Sequence, residues 1–210
     1  MFGIENYFAF LIAGILLNLT PGADTIYILT RSIAQGRRAG IYSVLGITSG
    51  SLIHTLFAAF GLSVILSTSA MIFNIIKYLG ALYLCYLGIR MLLKRSQIFE
   101  GQNILFKKNR SLQVYRQGLI TNLFNPKVAL FFLSFLPQFI NTDNAYGAIP
   151  FLLLGATFIS TGTIWCLVLA YSASFMTKLL RRNKSIGMSM QKLSGAVFII
   201  LGLKLALNKN

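Results

Sequence analysis

Acidic side chains are scarce in this chain: four Asp and Glu stand against nineteen Lys and Arg in 210 residues, with one histidine and two cysteines. A metal centre needs several convergent ligands of these types, and one histidine with four scattered acids does not supply them. Cys85 and Cys166 both fall in apolar stretches and show no C-x-x-C or other metal spacing. Buried thiols acting as small hydrophobes are the simplest reading of both. There is no phosphate-binding glycine loop or zinc signature, and no Ser/His/Asp set can be singled out. Neither a cofactor nor an enzymatic reaction is expected. The N-terminus, Met1 to Asn6, lacks the basic region of a signal peptide, so the first apolar stretch is expected to be a retained helix.

What the chain has in abundance is apolar length. Hydrophobic residues make up 56%, charged residues 11%, and the mean hydropathy is +0.72, against about 45–50% and ~25% in an average globular protein. The composition is that of an all-α integral membrane protein. At ~20 residues per span, the chain has room for about six spans in a single membrane domain, 1–210, and for no separate soluble domain. The apolar segments run roughly 7–33, 41–66, 71–93, 113–139, 147–176 and 187–207. The last is the weakest, because its uninterrupted apolar part covers only Leu193 to Leu203.

A net charge of +15 would suggest a nucleic-acid partner in a soluble protein, but here the basic residues cluster between apolar segments. Arg31, Arg37 and Arg38 lie between helices 1 and 2. Arg90, Lys94, Arg95, Lys107, Lys108, Arg110 and Arg116 lie at or between helices 3 and 4, and Lys178, Arg181, Arg182, Lys184 and Lys192 between helices 5 and 6. These are fifteen of the nineteen. No nucleic acid is expected. The positive-inside rule predicts three cytoplasmic basic loops and both termini outside. The longest loop, about 94–117, reads as a solvated linker or as a juxtamembrane segment meeting anionic lipid. It separates a first repeat of about 1–95 from a second of about 113–210. Three helices per half is an odd number, so the halves are expected to be inverted relative to each other.

Two prolines interrupt apolar stretches at corresponding places, in Asn18-Leu19-Thr20-Pro21-Gly22-Ala23-Asp24 and in Asn122-Leu123-Phe124-Asn125-Pro126-Lys127. Proline removes a backbone hydrogen bond and clashes with the preceding turn, so helices 1 and 4 are predicted to be broken. In hydrocarbon such a break survives only when buried in protein or lining a wet cavity. Paired broken helices in two halves point to a transport site.

Each break carries a charge. Asp24 is the one acid deep in an apolar segment, and burying it unpaired costs at least ~2.5–3.5 kcal/mol. It is a candidate for alternating between a proton and a substrate ammonium, and equally for the N-cap of the half-helix after Pro21-Gly22. Asn125 is suited to cap a half-helix with Pro126 at its first position. Amides there, aided by Lys127, would suit a substrate carboxylate; the alternative is that Lys127 snorkels to the interface. Asn18, Thr20 and Asn122 are accessory candidates beside the breaks.

Gln35-Gly36-Arg37-Arg38-Ala39-Gly40 reads as a tight cytoplasmic turn, and Gly46-x-x-x-Gly50 as a close-packing motif. His54, the sole histidine, is either a proton relay or a packing residue. Tyr78, Tyr83, Tyr86, Tyr115 and Trp165 are interface anchors or pocket walls.

Taken together, several runs resemble the lysine exporter (LysE/RhtB) family of amino-acid exporters. They are Leu19 to Thr25 through Arg31-Ser32, Gly36 to Gly40, Gly46-Ile47 with Gly50, and His54. Lys77 to Ala81 with Tyr83-Leu84 and Leu87-Gly88, the block Asn122 to Phe139, and Leu193 to Ile199 with Gly202 belong to the same pattern. The resemblance spans nearly the whole chain. It departs at the first break, where the family has Pro-Gly-Pro and this chain has Ala23 for the second proline. It implies secondary export of amino acids or derivatives, of the threonine, homoserine, homoserine lactone, leucine or lysine type, in exchange for protons. It also implies a multi-pass place in a bacterial cytoplasmic membrane, and it is compatible with a homodimer. Two rival readings remain from the residues: cation or metal efflux on the same fold, and a membrane thiol–disulfide carrier, which would need Cys85 and Cys166 to meet. A channel subunit, a third class, would conduct without proton coupling.

Overall fold

The structure is a computed structural model that describes residues 2–93, 110–141, 145–173, 175 and 184–207. Most of the expected basic loop 94–117, much of the basic run between helices 5 and 6, and Asp143 lie outside the described residues.

Eight helices carry the described chain. The first apolar segment is two of them, α1 (Tyr7–Leu19) and α2 (Ala23–Gln35), bent by 47° at Thr20-Pro21-Gly22. The fourth is likewise two, α5 (Ser111–Leu123) and α6 (Pro126–Leu130, continuing as wider and then tighter turns through Phe139), bent by 48°. The predicted breaks are therefore present and nearly equal in angle. Between them lie α3 (Arg37–Phe57, running on through a π-turn at Ala58–Leu62 to Thr68) and α4 (Ala70–Leu93); α7 (Ile149–Tyr171) and α8 (Lys184–Leu207) follow.

Among the described residues, three stretches are single helices long and apolar enough to cross a bilayer, Arg37–Ile65, Asn74–Leu93 and Ile149–Tyr171, and each bent pair can add one, for up to five. The sixth expected span is a helix, α8, but it is not among those five. The chain is a multi-pass membrane protein, and large apolar side chains such as Phe8, Phe57, Leu79, Leu82 and Ile164 are exposed on its surface.

Gly36, with φ +83°, makes the tight turn from α2 to α3, a backbone shape that glycine adopts without penalty. At the other end of α1, Glu5 N donates to Phe139 O at 2.8 Å and Asn141 N to Gly3 O at 2.8 Å. α1 therefore starts where α6 ends, and the two broken helices run in opposite directions.

Small residues set the closest packing. A Cβ on Gly46 would collide with the main-chain oxygen of Tyr115 and come within 2.8 Å of Leu119 N, so α3 and α5 are in backbone contact. On α4 and α8, a Cβ at Gly88 would sit 2.6 Å from Gly195 O, and one at Gly195 2.8 Å from Gly88 O. Close backbone approach of this kind drives helix association where lipid removes the hydrophobic force. The paired helices share a short pattern, Lys77-x-x-Gly80-Ala81 on α4 and Lys192-x-x-Gly195-Ala196 on α8.

Apolar side chains gather in two clusters. One is rich in phenylalanine (Phe10, Phe131, Phe132, Phe135, Phe139, Phe158) and joins α1, α6 and α7. The other (Ile28, Leu29, Val44, Ile47, Leu169, Ala170) joins α2, α3 and α7, with Trp165 and Cys166 against it. The polar groups of the two breaks lie between them.

Candidate functional site

A small cavity opens where both breaks meet α3 and α7. Its walls are Asn18 and Asp24 from the first broken helix, Asn122, Lys127 and Val128 from the second, and Ile47, Thr48 and Ser51 from α3. Phe158, Ile159, Gly162, Thr163, Trp165 and Cys166 close it from α7. About 30 Å³ is open to the centres of water-sized molecules, room for roughly two waters and too little for an amino acid.

Asp24 sits in the first turn of α2, where the helix dipole favours a negative charge. The N-cap is Gly22, so the expectation of Asp24 as the cap itself misses by two residues. Asp24 Oδ2 accepts from Asn122 Nδ2 at 2.9 Å, while Oδ1 is buried without a hydrogen-bond partner. Asn122 is 1% exposed; its Oδ1 accepts from Ser51 Oγ at 3.3 Å.

Lys127 points from the second break into the first. Its ammonium donates to Thr20 O at 3.0 Å and Leu17 O at 3.2 Å, carbonyls at the end of α1 that Pro21 leaves without a continuing helix. A Cβ on Gly22 would lie 3.3 Å from Lys127 Nζ, so glycine at this position gives the ammonium its seat. Two of the three ammonium protons are thereby used. Asn125 caps α6 as expected, its Oδ1 accepting from Lys127 N at 3.1 Å with Pro126 next in line. Asn125 O also accepts from Val128 N at 3.1 Å, so this helix start is closed by its own residues. The start of α2 has no side-chain cap.

Asn18 takes a different part from Asn122. Its Nδ2 donates to Thr161 Oγ1 at 3.2 Å and Phe158 O at 3.4 Å on α7, beside Gly162, where a Cβ would lie 3.1 Å from Asn18 Oδ1. Thr20 Oγ1 bonds back to Leu16 O at 2.7 Å. His54 is outside the cavity wall: its ring stacks on Phe132 with centroids 5.7 Å apart, and Nε2 lies 3.4 Å from Asn122 O. Cys85 and Cys166 are free thiols; Cys166 lines the cavity, whereas Cys85 packs against Gly202. Tyr115 joins α5 to α3 through a 3.0 Å bond to Ser49 Oγ. Among the described residues, no three His, Cys, Asp or Glu side chains gather as metal ligands.

Ser51, Thr48 and, apart from Trp165 and Cys166, the α7 wall were not singled out from the sequence. Thr48 and Thr163 meet at 3.0 Å across α3 and α7, joining the long helices of the two halves. A signal for α7 existed in Ser160-Thr161-Gly162-Thr163, a polar run inside an otherwise apolar segment.

A multi-pass helical protein whose two broken, oppositely directed helices meet around a charged cavity has the build of a membrane translocator. The chain belongs to the LysE type translocator family, whose model matches residues 15–209. A leucine efflux protein of Klebsiella pneumoniae is 30% identical over 205 residues, covering 98% of this chain and 96% of that protein. The leucine efflux protein of Salmonella typhimurium is 29% identical with the same coverage. An uncharacterized membrane protein of Bacillus subtilis, YrhP, is 28% identical over 212 residues, 98% of this chain and all of that protein. No solved structure gives a significant match.

Proposed function

We propose that this translocator exports a zwitterionic amino acid with an aliphatic side chain, leucine among the first to test, across the cytoplasmic membrane in exchange for protons. The observation that carries this reading is the half-satisfied carboxylate of Asp24, one oxygen held by Asn122 and the other buried without a partner, in a cavity both breaks enclose. A buried acceptor of this kind calls for a donor, and a substrate ammonium supplies one.

The carboxylate end of the substrate is assigned to the third proton of Lys127 and the uncapped amides that open α2, next to Gly22. Asn125 and Pro126 then build the helix start that presents Lys127. Ile47, Val128, Phe158 and Ile159 form the apolar wall for the side chain. A lysine substrate would bring a second positive charge against Lys127, which favours a neutral side chain. Because the present cavity holds roughly two waters, binding requires the walls from the two halves to part, as alternating access demands.

In this reading α8 is the sixth span, the halves are inverted three-helix repeats, the termini are outside and the basic loops cytoplasmic. Neutral Asp24 returns through the cycle without a substrate, and the ionised form carries one. The test is counterflow and gradient-driven efflux in proteoliposomes against a panel of amino acids. Asp24→Asn should abolish uphill export under a pH gradient while leaving some downhill exchange, since asparagine keeps the shape without the titration. Wild-type uphill export by that variant would refute proton coupling through Asp24.

A further inference from the structure

We infer that Asn122 is a positioning residue for Asp24, held in place by Ser51 and admitted by Gly50, so that one carboxylate oxygen is occupied and the other kept for the substrate ammonium. This inference rests on the functional reading above.

The geometry is specific. Asn122 is 1% exposed, so its amide depends on the side chains around it. Ser51 Oγ donates to Asn122 Oδ1 at 3.3 Å, which turns Nδ2 towards Asp24 Oδ2, 2.9 Å away. With the amide reversed, its oxygen would face the carboxylate oxygen of Asp24, so the acid selects the amide orientation on α5 and the Ser51 hydroxyl on α3 anchors the amide's other end. Gly50 provides the space: a Cβ there would lie 2.6 Å from Asn122 Oδ1 and 2.8 Å from its Cβ. The counterpart at the first break, Asn18, bonds among the described residues to groups of α7. The two asparagines thus occupy matching places with different duties, and only the second meets the acid.

A hydrogen bond donated to a carboxylate favours its ionised form. The titratable groups facing Asp24 from its neighbours are Lys127 on α6, Cys166 on α7 and His54 on α3. None of these side chains is itself replaced in the Asn122, Ser51 or Gly50 variants, and His54, whose Nε2 lies 3.4 Å from Asn122 O, meets the main chain and not the amide.

The experiment is the pH profile of counterflow in proteoliposomes for wild type, Asn122→Ala, Ser51→Ala and Gly50→Ala. Loss of the amide donor should move the half-maximal pH of the limb that requires ionised Asp24 upward. Ser51→Ala, which loses a single hydroxyl, should shift it in the same direction by less. Gly50→Ala keeps every polar group and should still shift it, because the added methyl displaces Asn122. If Asn122→Ala does not accumulate in the membrane, the Ser51 and Gly50 variants decide the matter. Profiles that keep the wild-type midpoint while the rate falls would reduce Asn122 to a packing residue and overturn the inference. If instead wild type moves no amino acid, or Asp24→Asn keeps the wild-type pH limb, the functional reading itself fails.

Discussion

Lys127→Met isolates the bond between the two breaks. Methionine keeps most of the lysine stem and its volume, and removes the charge and all three donors. The ammonium's bonds to Thr20 O (3.0 Å) and Leu17 O (3.2 Å) are lost. Leu17 O still accepts from Thr20 N at 3.2 Å, so the larger loss falls on Thr20 O. A hydrogen bond from a charged donor contributes about 1.5–3 kcal/mol in soluble proteins, while interhelical bonds inside a membrane average about 0.6 and reach about 1.7. A cost of about 2 kcal/mol follows for this variant, because its acceptor lies at a helix break without a continuing ladder. For a chain of this length that corresponds to a fall of roughly 4–8 °C in Tm. The assay is thermal unfolding of the purified protein in detergent, with exchange measured on the same preparations. Exchange should fall as well, since the carboxylate end of the substrate loses its charge partner. A Met variant that melts within about 1 °C of wild type would show that Lys127 does not hold the first break together.

Two further outcomes follow from the packing and from the charge distribution. Gly46→Ala places a methyl against the backbone of Tyr115 and 2.8 Å from Leu119 N, atoms that cannot move without parting α3 from α5, so it should cost about 1–3 kcal/mol or more. Gly61→Ala, with nothing within 4 Å of the new methyl, should be neutral; equal Tm values for the two variants would refute the close approach. For orientation, single cysteines at Leu112, beginning α5, and Tyr146, before α7, should label from the cytoplasmic and outer faces respectively. Labelling of both from outside in intact cells would overturn the assigned topology.

How much of this was legible in the sequence depends on how local each cause is. The breaks were legible because a proline's missing hydrogen bond acts on its own turn, and the Asn125-Pro126 cap because its donor and acceptor lie two residues apart. Gly36 was legible as a turn for the same reason. The partner of Lys127 was not: carbonyls 107 and 110 positions away are chosen by how the halves pack. Gly46-x-x-x-Gly50 announced close contact, yet its two glycines have separate tasks, one against the backbone of α5 and one against Asn122. Cys166 read as an inert hydrophobe and lines the cavity, since burial in the sequence does not distinguish a core from a cavity wall. The shared Lys-x-x-Gly-Ala of α4 and α8 was readable throughout. It gains meaning only once the two helices are seen to pack glycine to glycine.

The sequence presents the two breaks as separate events about a hundred residues apart, whereas in the fold each completes the other. Pro21 frees carbonyls at the end of α1, and the second break supplies the ammonium that takes them. Ala23 and Asp24 open α2 with a carboxylate, and the second break supplies the amide that holds half of it. Asn18 of the first break is in turn seated on α7 of the second half. Interrupted backbone can persist at membrane depth only where its freed groups find partners, and here those partners come from the opposite half. This mutual dependence has a consequence for how the site works. In the proposed cycle, a movement that parts the halves to admit a substrate would strip Thr20 O and Asp24 of their partners at the same moment. Substrate and water would then take their place, which makes opening and binding linked steps in that cycle. Substitutions at one break should therefore not add to those at the other, as expected for residues within a single hydrogen-bonded network.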